Sequence, residues 1–143
     1  MKFWSKLISC AVLLFMVSVS CLPALAAQTN ISIYLPEDQL WSTGFGEYHY
    51  AGYLYMGARC HSVFPTTGSD NFHRIQCSAD TLEGVRVTKR PYVVLTEGSS
   101  TYEKVEVTGT FKPYTQAVYF KFRGNSSAKA QAIVSYTGSY LRE

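Results

Sequence analysis

Apolar and polar residues alternate with period two along most of the chain, a pattern that predicts half-buried strands. The longest run occupies residues 47–77. Its first half, read as one strand to about His61, puts Tyr48, Tyr50, Leu54, Met56, Ala58 and Cys60 on one face. His49, Tyr53, Tyr55, Arg59 and His61 go to the other. Gly52 and Gly57 inside it predict a bulge or a bend. An exposed loop over 62–71 leads to a return strand over 72–79, with His73, Ile75 and Cys77 on one side and Arg74 and Gln76 opposite. The two strands are expected to pair as a hairpin, with Cys60 and Cys77 both on its apolar face and joined by a disulfide.

The same alternation recurs on both sides. Ile31, Ile33 and Leu35 define a first strand against Ser32 and Tyr34. Pro36-Glu37-Asp38 breaks it and predicts a single helical turn through Trp41, since proline suits the first helical position and carboxylates its amino end. Leu82, Val85 and Val87 alternate with Arg86 and Thr88, and residues 92–96 read as a short apolar strand. Further on, Val105, Val107 and Phe111 point inward, then Val118, Phe120 and Phe122 with Tyr119, Lys121 and Arg123 outward. Ala128, Ala130, Ala132, Val134 and Tyr136 share the last inward face. Small alanines beside bulky phenylalanines let two layers close together. Ile133 falls on the polar side and suggests an edge covered by a neighbour. About eight short strands with no longer helix predict an antiparallel β-sandwich, with a small barrel as second choice.

The first 26 residues stand apart. Lys2 and Lys6 precede an apolar run over 7–19, and Ala24-Leu25-Ala26 is a small-residue cleavage pattern, together a secretory signal peptide. The run is shorter than the roughly 20 residues of a membrane span, and Ser18 three positions before Cys21 argues against lipidation. Residues 27–143 are then expected to form one domain, soluble outside the cell. Its 11 basic and 10 acidic residues leave a net charge of +1, because two of the 13 basic residues belong to the leader. That balance speaks against nucleic acid or an anionic membrane as an obligatory partner. It also leaves Cys60 and Cys77 as the only cysteines of the exported chain, and an even pair in such a chain reads as a disulfide.

Few residues call for catalysis. Cys60, His61, His73 and Cys77 carry zinc-ligand chemistry, but adjacent strand residues point to opposite faces. His73 and Cys77 stand roughly 13 Å apart along a strand, so no metal site is expected. No serine occupies a Gly-x-Ser-x-Gly elbow, no acidic pair is placed face to face by the sequence, and neither an enzyme nor a cofactor is expected. Asn30 and Asn125 match the glycosylation pattern. The compositional oddity is aromatic, with 11 Tyr in all. Tyr and Arg together give large, rather rigid contact area with a polar handle. The expectation is a non-catalytic binding protein using Trp41, Phe45, His49, Tyr53, Tyr55 and Arg59, with an extracellular protein or polysaccharide as partner. The alternatives are a carbohydrate- or cell-wall-binding module and a toxin-like antimicrobial β protein.

Overall fold

A computed structural model describes residues 27–65, 73–125 and 127–142. Residues 1–26, expected to be a signal peptide, and most of the loop over 62–71 lie outside the described residues. The chain forms eight strands: β1 (Gln28–Leu35), β2 (Phe45–His49), β3 (Tyr53–Pro65), β4 (Arg74–Asp80), β5 (Val93–Thr96), β6 (Glu103–Glu106), β7 (Gln116–Gly124) and β8 (Ala130–Arg142). They make two antiparallel four-stranded sheets, the first in the order β1-β8-β3-β6 and the second β2-β7-β4-β5. No helix occurs among the described residues.

The inner faces meet as the alternation requires. Val118, Phe120 and Phe122 of β7 are fully buried opposite Ala130, Ala132 and Val134 of β8, and the small side chains make room for the rings. Tyr136 completes the layer, its ring centre 5.0 Å from that of Phe120 and 6.0 Å from that of Phe122. On one flank the sheets are tied by residues 86–89. Val87 N–H donates to Ala79 O in the second sheet, and Lys89 N–H donates to Glu106 O in the first.

The pairing and phase of several segments differ from the expectation. The single strand over 47–61 is two strands, β2 in the second sheet and β3 in the first, separated by a turn at Gly52 with φ of +86°. That turn resets the alternation, so His49, and not Tyr48, points inward. The hairpin between β3 and β4 does not form, because β3 pairs with β6 and β8 while β4 pairs with β5 and β7. Cys60 and Cys77 do share the apolar interior, from opposite sheets, and they stand as free thiols. Burial and the nearby Glu97 charge push the Cys60 thiol up to about 12, and burial alone pushes Cys77 up.

The helical turn over 36–41 is replaced by a left-handed turn, with φ of +59° at Asp38 and +56° at Gln39. The stretch 82–88 is no strand. Residues 81–85 close a turn, Leu82 and Val85 are exposed, and only bridges from Arg86 to Asp80 and from Thr88 to Val107 remain. Ile133 lies on the central strand β8, between Ser32 and Ser62, and marks no edge.

Candidate functional site

The six residues singled out by the sequence do not share one surface. Phe45 packs inward against Phe122 and Tyr136, at 6.2 Å and 6.3 Å between ring centres. His49 is fully buried. Its Nδ1 lies 2.8 Å from Gly138 O, so the imidazole carries its proton there and leaves Nε2 as a buried acceptor without a partner among the described residues. Burial lowers its pKa below the usual 6.5. Tyr53, Tyr55 and Arg59 lie along β3 and are half-buried. On the outer face of the first sheet Lys104 Nζ sits 5.3 Å from the Tyr55 ring centre, and Arg59 Nε donates to Ser99 O. Much of that face is already covered. A Cβ at Gly57 would meet the rings of Tyr140 at 3.1 Å and Tyr102 at 3.2 Å, a tilted pair with centres 5.3 Å apart.

Trp41 alone reaches the other outer face, where a different constellation assembles. β7 turns Tyr119, Lys121 and Arg123 outward, and β4 turns out Gln76, Ser78 and Asp80 in register beside them. Two loops supply the rings. The β1–β2 loop is pinned by hydrogen bonds from Asp38 N–H to Ser127 O (2.8 Å), Ser42 N–H to Phe122 O (2.8 Å) and Phe122 N–H to Ser42 Oγ (3.0 Å). These hold Trp41 over the sheet. The segment before β5 brings Tyr92 from the other side. Thr88 Oγ1 fixes that segment by donating to Arg90 O at 2.6 Å while lying 3.3 Å from Ser78 Oγ.

Arg123 stands between the two rings, its Cζ 4.4 Å from the Trp41 ring centre and 5.3 Å from that of Tyr92. Its Nε donates to Gln76 Oε1, and its terminal nitrogens have no hydrogen-bond partner among the described residues. Lys121 Nζ lies 5.1 Å from the Trp41 ring and pairs with Asp80. Each cation–ring contact contributes about 0.5–1 kcal/mol at an exposed position, so the side chains are held in place before anything binds.

Between them opens a cleft of about 320 Å³, lined by Trp41, Tyr92, Asp80, Arg86, Lys121 and Arg123 among others. A second hollow of about 280 Å³ shares Asp80, Gly84 and Lys121 with it and extends it past Tyr119 and Leu82. The cleft carries three cations against one carboxylate. Asp80 is answered by Lys121, and Arg123 and Arg86 form no ion pair among the described residues. A guanidinium with free terminal N–H groups presents a planar fork that matches a carboxylate or a phosphate, and flanking rings suit a flat or apolar ligand face.

Sequence reasoning placed Lys121 and Arg123 on an outward face but did not connect them with Tyr92, Asp80 or Arg86. The legible signal was the column of alternate residues on β7; the contribution of two distant loops had none. No group of three His, Cys, Asp or Glu side chains able to hold a metal ion occurs among the described residues, and no helix there is long and apolar enough to cross a membrane. Comparison with protein-family models, with curated proteins and with solved structures gives no match to this chain.

Proposed function

We propose that this chain is an exported, non-catalytic binding protein that takes an anionic ligand in the cleft of Trp41, Tyr92, Lys121 and Arg123. The observation that carries the reading is Arg123. It is fixed by Gln76 and two aromatic rings while its terminal nitrogens have no hydrogen-bond partner among the described residues. A surface arginine normally spends side-chain entropy to hold one geometry; here packing has already fixed that geometry, and the charge is left for a partner. Trp41 is a built-in reporter, because the chain has two tryptophans and the other, Trp4, belongs to the leader. Titration with a soluble acidic polysaccharide such as polygalacturonate is expected to change Trp41 fluorescence. Neutral dextran is expected not to, and Arg123→Gln should weaken the response about tenfold or more. Equal responses to the acidic and the neutral polymer would refute an anion site.

Export also delivers Cys60 and Cys77 to an oxidising compartment. β3 faces β4 and β5 across the core, and we propose that the two buried thiols are oxidised there to a disulfide linking the sheets. The bond requires their Cα atoms within about 4.4–6.8 Å.

A further inference from the structure

Three exposed aliphatic side chains have no place in a simple anion site, and all belong to the two turns beside the cleft. Leu82 is 76 % exposed, Leu40 60 % and Val85 54 %. Single exposed leucines are ordinary, but these are held out by ordered backbone. Residues 81–85 form a closed turn, with Thr81 N–H donating to Val85 O (2.8 Å), Gly84 N–H to Thr81 O (3.0 Å) and Val85 N–H to Thr81 Oγ1 (3.2 Å). Leu82 lines the extension of the cleft alongside Lys121 and Tyr119. Leu40 follows the left-handed Asp38–Gln39 turn and directly precedes Trp41. A small dissolved anion held at Arg123 leaves these tips in water. A bilayer takes both parts, with phosphate at the headgroup level, where Trp and Tyr also settle, and an apolar layer just beneath.

We infer that the cleft docks on a membrane surface rich in anionic phospholipid. The lipid phosphate sits against Arg123, Arg86 and Lys121, and Leu82 and Leu40 enter the acyl boundary. The inference rests on the anion-binding reading above and names the source of the anion. It needs no strongly basic protein, since the surplus charge is concentrated at one cleft and each basic side chain near an anionic leaflet adds its own attraction.

The test is sedimentation of the purified protein with phosphatidylcholine vesicles, with and without phosphatidylglycerol, in parallel with retention on polygalacturonate. Wild type, Leu82→Ser, Leu40→Ser and Arg123→Gln are compared in the same form of the chain, because an apolar leader would partition irrespective of those side chains. The expected result is binding that requires phosphatidylglycerol and falls about tenfold with either leucine variant and with Arg123→Gln. Both leucines are exposed, so circular dichroism should show their variants folded. Vesicle binding that ignores the leucines, together with Arg123-dependent retention on polygalacturonate, would overturn the lipid assignment and keep the anion site. Binding to neither would overturn both.

Discussion

At Gly138 the backbones of β8 and β2, from opposite sheets, come close together, and replacing it by alanine should undo the fold more than any exposed change. A Cβ at this position would lie 2.0 Å from Tyr48 O, 2.5 Å from Tyr48 C and 3.0 Å from His49 N. These are main-chain atoms of β2, so no rotamer can yield, and relief requires β2 and β8 to separate. Overpacking against side chains typically costs about 1–3 kcal/mol, occasionally more. Here the displacement would also lengthen three contacts that use the same approach. His49 Nδ1 lies 2.8 Å from Gly138 O, Tyr50 N–H donates to Ser139 Oγ at 2.8 Å, and Ser139 Oγ donates to Tyr48 O at 3.3 Å. Leaving the buried imidazole N–H unpaired adds about 1–3 kcal/mol.

The expected loss is therefore roughly 2–6 kcal/mol, a large share of the roughly 5–15 kcal/mol that stabilises a domain of this size. Urea unfolding followed by tyrosine and tryptophan fluorescence measures it, as a midpoint lowered by about 1–3 M at an unchanged slope. Gly109→Ala is the control, since nothing lies within 4 Å of its added Cβ and its φ is not positive. A Gly138→Ala midpoint indistinguishable from that of Gly109→Ala would refute the close approach of β2 and β8.

Three further outcomes follow from the interior and the loops. Burial holds His49 below its usual 6.5, so the unfolded chain binds the proton more readily; its contribution is complete above about pH 6.5 and is lost as pH falls through the folded value. His61, lowered by burial and by Arg59, adds to the same slope, and His49→Gln should flatten the acid limb of urea midpoints measured between pH 8 and pH 5. If the chain is exported as proposed, the protein isolated from outside the cell and denatured without reductant should give no reaction with a thiol reagent; two reactive thiols would show that Cys60 and Cys77 stay reduced. Gln39→Gly should stabilise by about 0.5–1 kcal/mol, since a side chain at φ of +56° costs about 1–2 kcal/mol and glycine returns part of that as unfolded-state entropy; a lower melting temperature would refute the strain.

The sandwich was legible because the inner faces of β7 and of the first half of β8 obey a period of two. Val118, Phe120, Phe122, Ala130, Ala132 and Val134 are buried as their alternation requires. Which strands pair was not legible. A run of residues alternates equally well whether it stays in one sheet or changes sheets, and the change over 50–52 is written only in one glycine with positive φ. That turn reverses the phase of β2 and takes His49 from an apparent outer face into the core. The same limit explains Leu82 and Val85, whose spacing imitates a strand although hydrogen bonds within 81–85 close a turn. Half of the site was readable for the reason the core was, since Lys121 and Arg123 are the polar complement of Phe120 and Phe122. The other half depends on where loops land, and Trp41 and Tyr92 are carried there by contacts distant in sequence.

The loop around Trp41 shows why a local rule failed at the site. Pro36 followed by two acids satisfies the preferences of a helix start, yet a right-handed turn there would leave the loop's bonds to the end of β7 unmade. The chain instead adopts two successive left-handed residues and gains Asp38 N–H to Ser127 O, Ser42 N–H to Phe122 O and Phe122 N–H to Ser42 Oγ. Each hydrogen bond nets about 0.5–1.5 kcal/mol, so three of them roughly offset two residues of left-handed strain. The exchange is near neutral for stability. Its consequence is positional, because the same three bonds bring the indole to within 4.4 Å of Arg123 and leave Leu40 exposed beside the cleft. Strain that persists with little net stabilising return is characteristic of a functional segment, and here it coincides with the ring and the leucine that the binding proposal uses.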